Sequence, residues 1–124
     1  MGTNFYVRIR RENQEHPEEV HIGKASCGWK FLFVNNKDYY EPTRKSINRF
    51  LKLHKSEFYD DYGELQDIAG FWDIVDKSSG GNDQREYYRQ RLERGECVSH
   101  WEKSLVGMEF DSDGLVFTDA LNWR

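Results

Sequence analysis

The sequence predicts an α+β fold: a small antiparallel sheet, made of three N-terminal strands and a C-terminal hairpin, packed with two or three helices. Three observations predict it. Apolar and polar side chains alternate along residues 5–9 and on both sides of residues 23–28, the period of a half-buried strand. Between residues 44 and 77 the spacing changes to that of two amphipathic helices. Aromatic residues make up 15% of the 124, which supplies enough buried area for a core although only 37% of residues are apolar and mean hydropathy is −0.92. That aromatic content separates the chain from disordered sequences, and its length fits a single domain over residues 1–124.

The first strand covers residues 4–10, with Phe5, Val7 and Ile9 on one face and Tyr6, Arg8 and Arg10 on the other. Residues 11–19 are polar, carry Pro17 and read as a loop. The stretch VHIGKASCGWKFLFV, residues 20–34, then reads as two strands. Val20 and Ile22 alternate before Gly23, and Trp29, Phe31 and Phe33 alternate after Gly28, with Lys24, Ala25, Ser26 and Cys27 as the connection. Short connections favour antiparallel neighbours.

A polar turn over residues 35–41 leads to Pro42 and Thr43, residue types suited to a helix start. Ile47, Phe50, Leu51, His54 and Phe58 form the apolar stripe of the first helix. Acidic residues around Gly63 mark a turn, and Leu65, Ile68, Ala69, Trp72 and Val75 continue the helical period to about Lys77. Residues 78–82, SSGGN, read as a mobile loop. Asp83 with Glu86 has the spacing of a capping box, and Gly95 is a stop signal, so a polar third helix lies between them. Strands at residues 106–110 and 115–118 flank the turn Asp111-Ser112-Asp113-Gly114.

The net charge of −4 gives no global case for nucleic acid. No run is long enough for a transmembrane helix, and no apolar leader is evident. The two cysteines, Cys27 and Cys97, are therefore expected as reduced thiols in the cytoplasm. Met1-Gly2 fails the myristoylation pattern, because Tyr6 stands where Ser or Thr is needed.

Gly23-Lys24-Ala25-Ser26 contains the residue types of a phosphate loop. It lacks the long glycine-spaced loop and the following helix, which excludes a Walker-type nucleotide site. A looser candidate remains: turn N–H groups with Lys24 and Ser26, beside Trp29 and following His21, would hold a small anionic, nucleotide-like ligand. The plainer reading is a hairpin with a polar tip. A second candidate surface, for nucleic acid or a protein partner, is Arg85, Tyr88 and Arg89, where aromatic and basic residues interleave. Another basic group comprises Arg44, Lys45, Arg49, Lys52 and Lys55, and helical surfaces are commonly charged in this way. Nucleic acid is the less favoured partner.

The histidines, His16, His21, His54 and His100, have no zinc spacing, so neither metal nor cofactor is expected. His54 reads as a packed residue on the apolar stripe. His100 beside Trp101 is the remaining candidate base, and Cys27 a candidate nucleophile without a motif, so no catalytic residue is assigned. Asp111-Ser112-Asp113-Gly114 lacks the further ligands of a calcium loop and reads as a hairpin turn. Asp60, Asp61, Glu64 and Asp67 read as a solvated helix boundary rather than a hydrolytic pair.

The opening Met1-Gly2-Thr3-Asn4-Phe5-Tyr6, with HIGKASCGWKF at residues 21–31, resembles a family of small phage and prophage proteins that begin MGTNYY and continue HIGKSS-x-GW-x-F. Residues 61–64 and Phe71-Trp72 resemble its middle segment more loosely. Family members often carry a Cys-x-x-Cys pair between the first two strands, whereas residues 10–20 here have no cysteine. The resemblance implies a setting and no activity: a phage-encoded accessory protein in the host cytoplasm that binds a host protein, such as a defence or transcription component, and inhibits or modulates it. A small-ligand module and a small enzyme are the alternatives.

Overall fold

The computed structural model describes residues 2–10, 15–96 and 108–119. Along these, the chain forms β1 (Gly2–Ile9), β2 (Glu18–Ser26), β3 (Leu32–Val34), α1 (Arg44–Leu53), a 3-10 turn (Lys55–Glu57), β4 (Phe58–Asp60), α2 (Ile68–Lys77), a second 3-10 turn (Ser78–Gly80), α3 (Gln84–Glu93), β5 (Glu109–Ser112) and β6 (Leu115–Thr118). The fold is α+β, as the sequence predicts. Six strands make one sheet in the order β4-β1-β2-β3-β6-β5. Its N-terminal strands and the β5–β6 hairpin pair antiparallel, and β3 joins β6 in parallel, so the sheet is mixed.

The β1–β2 ladder explains where the central stretch departs from its expected shape. Phe5 pairs with Gly23 and Tyr6 with His21, so Ile22 is left over as a bulge. Val20 and Ile22 point to the core before the bulge, and Gly23 and Ala25 take the same side after it. The strand therefore runs through Gly23 to Ser26, and Lys24, Ala25 and Ser26 belong to β2 rather than to the connection. Gly23 is needed for close approach rather than for a turn. A Cβ there would stand 2.5 Å from the Leu32 carbonyl oxygen and 2.5 Å from the Phe31 ring. Glu18 and Glu19, expected in the loop, open the same strand.

Two helices start at the caps the sequence marks: Thr43 accepts from the Ser46 N–H and Asp83 from Arg85, while α2 starts from Asp67, which accepts from Gly70. After α3, Gly95 takes φ +78°. The helical stripe is shorter than its sequence period implies. Phe58 lies in β4, paired with Val7, and Leu65 precedes α2. Residues 61–66 fold back along β4: Gln66 N–H donates to the Phe58 carbonyl, Asp60 N–H to that of Glu64, and Leu65 bridges Tyr59. The Asp60 carboxylate, nearly buried, accepts from the N–H groups of Tyr62 and Glu64 and from the Gln66 amide. It organises this return rather than a catalytic pair.

Phe71 on α2 is the centre of the core. Its ring meets Phe5, Phe31, Phe58 and Trp72 edge-on at 5.2–5.3 Å. From α1, Ile47, Phe50 and Leu51 are buried in the same cluster. The β5–β6 turn is Asp113-Gly114, both at positive φ (54° and 75°), the two-residue connection that matches strand twist.

Candidate functional site

After Ser26 the chain reverses at Cys27 and Gly28. Gly28 takes φ +83°, and Trp29 N–H closes the turn on the Ser26 carbonyl at 3.1 Å. Residues 28–30 then run beside residues 78–82, the segment that reads as a mobile loop. Asn82 N–H donates to the Gly28 carbonyl at 2.8 Å, and Lys30 N–H to that of Asn82 at 3.0 Å. Phe31 N–H is held by the Ser78 hydroxyl, which in turn donates to the Val75 carbonyl. Gly81 fits this junction because a side chain there would meet the Trp29 carbonyl carbon at 2.7 Å.

Between this turn, the start of β1 and the end of α2 lies an open concavity of about 460 Å³. Ala25, Trp29 and Ile74 give it apolar walls, and Ser26, Lys77 and Ser78 give it polar ones. Trp29 is fixed edge-on against Tyr87 of α3 at 5.2 Å. The Lys77 ammonium pairs with Asp73 at 2.8 Å, and that hydrogen bond raises its pKa above the ordinary lysine value. Cys27 lines the rim as an exposed free thiol.

Two of the four residues read from sequence as a ligand site line this concavity, and two lie apart from it along β2. Ser26 and Trp29 line the concavity. Lys24 and Ser26 alternate onto one face of β2 and converge above Gly2: a Cβ on Gly2 would lie 2.5 Å from Lys24 Cε and 2.7 Å from Ser26 Oγ. His21 lies further along that face, stacked on Tyr6 at 4.8 Å, with Nε2 3.1 Å from the Asn4 side-chain oxygen. Ile74, Lys77 and Ser78 come from α2 and its end, and no spacing in the sequence links them to the β2–β3 turn.

The second candidate surface is occupied by its own counter-charges. Arg85 donates to Asp83 at 2.6 Å and to Asp111 at 2.7 Å, and its Nε lies 3.9 Å from Glu109. Hydrogen bonds to Asp83 and Asp111 hold the Arg85 pKa above its usual range, and Arg85 holds that of Asp83 below. Glu109 differs. Burial, reinforced by the charge of Asp83, pushes its pKa up to about 7 against the pull of Arg85. Among the described residues its Oε2 has no hydrogen-bond partner. Arg89 is clasped by Glu86 and Glu93, while Tyr88 and Tyr87 lie under Arg91 at 5.8 and 5.7 Å.

His54 caps the end of α1 with its ring 4.9 Å from Phe50. His100, Trp101 and Cys97 lie outside the described residues. Among the described residues, no group of three or more His, Cys, Asp or Glu is placed to hold a metal ion, and no helix is long and apolar enough to cross a membrane. No family model matches the chain, and neither a curated protein nor a solved structure matches it.

Proposed function

We propose that this chain is a small accessory protein, in the phage setting its opening resembles, that acts in the cytoplasm by binding rather than by catalysis. The concavity beside Trp29 is its ligand site. Its volume of about 460 Å³ carries this reading, because small-molecule sites occupy roughly 300–1,000 Å³. A flat, partly apolar ligand would lie against Trp29 and Ile74, with an anionic end toward Lys77 and the Ser26 hydroxyl. Tryptophan fluorescence and thermal melting against nucleotides and small aromatic carboxylates test it. A ligand that quenches fluorescence and raises Tm in the native chain, but not in Ile74→Arg, is the expected result. A flat response across the panel removes the reading.

A host protein as partner is favoured by a different observation. Tyr62 and Leu65, on the return beside β4, are 72% and 58% exposed and stand three residues apart in one short segment. Recovery of a host complex that Tyr62→Ser with Leu65→Ser abolishes would support it.

A further inference from the structure

The ten residues of α1, RKSINRFLKL, carry four cations and no carboxylate, in a chain whose net charge is −4. Arg44 is spent: its guanidinium pairs with Asp76 through both nitrogens and lies 4.4 Å over the Trp72 ring. Lys45, Arg49 and Lys52 stand four and three residues apart, so they share the outward face of the helix. None makes an ion pair with a described residue. That distinguishes them from the cations of α3 and its C-terminal cap, where Arg85, Arg89 and Arg94 each hold a carboxylate of this chain.

Lys45 and Arg49 line a cleft of about 510 Å³, and Lys37 reaches it from the turn that precedes α1. Three cations against two carboxylates leave this lining with a positive balance, which favours an anion in the cleft. The first helical N–H groups are already engaged, Arg44 with Asp113 and Ser46 with Thr43, so the side chains must supply the recognition. The lining also contains the carboxylates of Asp38 and Glu41. Carboxylates repel a bare anion but accept hydrogen bonds from hydroxyls. The combination fits phosphates attached to a sugar better than an inorganic polyanion.

We propose that this cleft binds a ligand with phosphates linked to a hydroxyl-bearing sugar, with Lys37, Lys45 and Arg49 as phosphate contacts and Asp38 or Glu41 accepting from the sugar. The site is separate from the concavity beside Trp29 and stands without it. Two sources share this chemistry, a free nucleotide and the backbone of a nucleic-acid strand, and Lys52 one turn beyond extends the charged row for the latter.

Calorimetric titration with ATP, and anisotropy with a fluorescein-labelled single-stranded RNA, both at low ionic strength, test the proposal. Arg49→Glu is expected to weaken binding about ten-fold or more, the effect of losing and reversing one charge-assisted contact. Arg94→Glu, an equal change in net charge outside the cleft, is the control. Should Arg49→Glu fail to fold by circular dichroism, Lys45→Gln with Arg49→Gln replaces it. Binding of ATP assigns the cleft to a free nucleotide. Binding of RNA alone, weakened steeply by added salt, assigns it to a strand. Absence of binding by either, or equal weakening by Arg49→Glu and Arg94→Glu, overturns the proposal.

Discussion

Asp113 accepts a hydrogen bond from the backbone N–H of Arg44 at 2.7 Å, so the tip of the C-terminal hairpin caps the first helix. Beside it, the Ser112 hydroxyl donates to the Pro42 carbonyl at 2.6 Å. The carboxylate meets the positive end of the helix dipole and removes one of its orphan donors. Asp113 also sits at φ +54°, where Asn and Asp are better tolerated than other side chains. Asp113→Ala should therefore destabilise the chain by about 1–2 kcal/mol. Asp113→Asn, which keeps an acceptor and tolerates the backbone, should cost less. Urea denaturation of the two variants measures the difference.

Gly23 and Gly28 predict opposite kinds of damage. A methyl group on Gly23 would press on the Leu32 backbone oxygen and the Phe31 ring, both in the core. Gly23→Ala should cost roughly 1–3 kcal/mol and disturb the amide resonances of β2 and β3. Gly28 has open space around it and a φ of +83°, so Gly28→Ala brings only backbone strain. That change should cost about 1 kcal/mol and leave the core resonances in place.

Phe71 touches more of the aromatic core than any single strand residue supplies. Phe71→Leu should lower stability by about 2–3 kcal/mol and Phe71→Ala by about 3–5 kcal/mol, through lost contacts and a residual cavity. Chemical denaturation curves check both. A loss below ~1 kcal/mol for Phe71→Ala would contradict its central position.

Glu109 predicts a dependence on pH. Its pKa is about 7 in the folded chain against an ordinary value of 4.5, so between these values the folded state holds a proton that the unfolded state has released. Stability from this group is complete below the lower value and is lost as pH rises through the upper one. Asp83 acts in the opposite sense. Arg85 lowers its pKa, so its contribution disappears only in acid, below the usual aspartate range. Glu109→Gln should raise Tm at pH 8 by a few degrees, the size expected of ~1 kcal/mol. At pH 5 it should change Tm little. Melting curves across this range decide.

Local signals in the sequence foretold local structure. Thr43, Asp83 and Gly95 mark helix ends because each acts on its own neighbours, whereas the turn read over residues 111–114 narrows to Asp113-Gly114, with Asp111 and Ser112 taken into β5. Gly23 misleads because glycine signals a turn and a close approach equally. Phe58 misleads because it follows His54 at helical spacing, while a strand of three residues, β4, has no period of its own. The parallel joint between β3 and β6 depends on residues far apart in the chain, beyond the reach of any spacing rule. The candidate site divides in the same way. Ser26 and Trp29 were legible from the turn, whereas Ile74 and Lys77 join them only through the packing of α2. Lys37 likewise meets Arg49 only because the turn before α1 folds beside the helix.

The return of residues 61–66 along β4 has a consequence for assembly. The Phe58 carbonyl and the Asp60 amide, which would otherwise face outward from this rim of the sheet, are both engaged within the chain. A second molecule offering an extended segment would find no row of vacant peptide groups there to zip onto. Stacking of further copies directly onto β4 would first require this return to be peeled away.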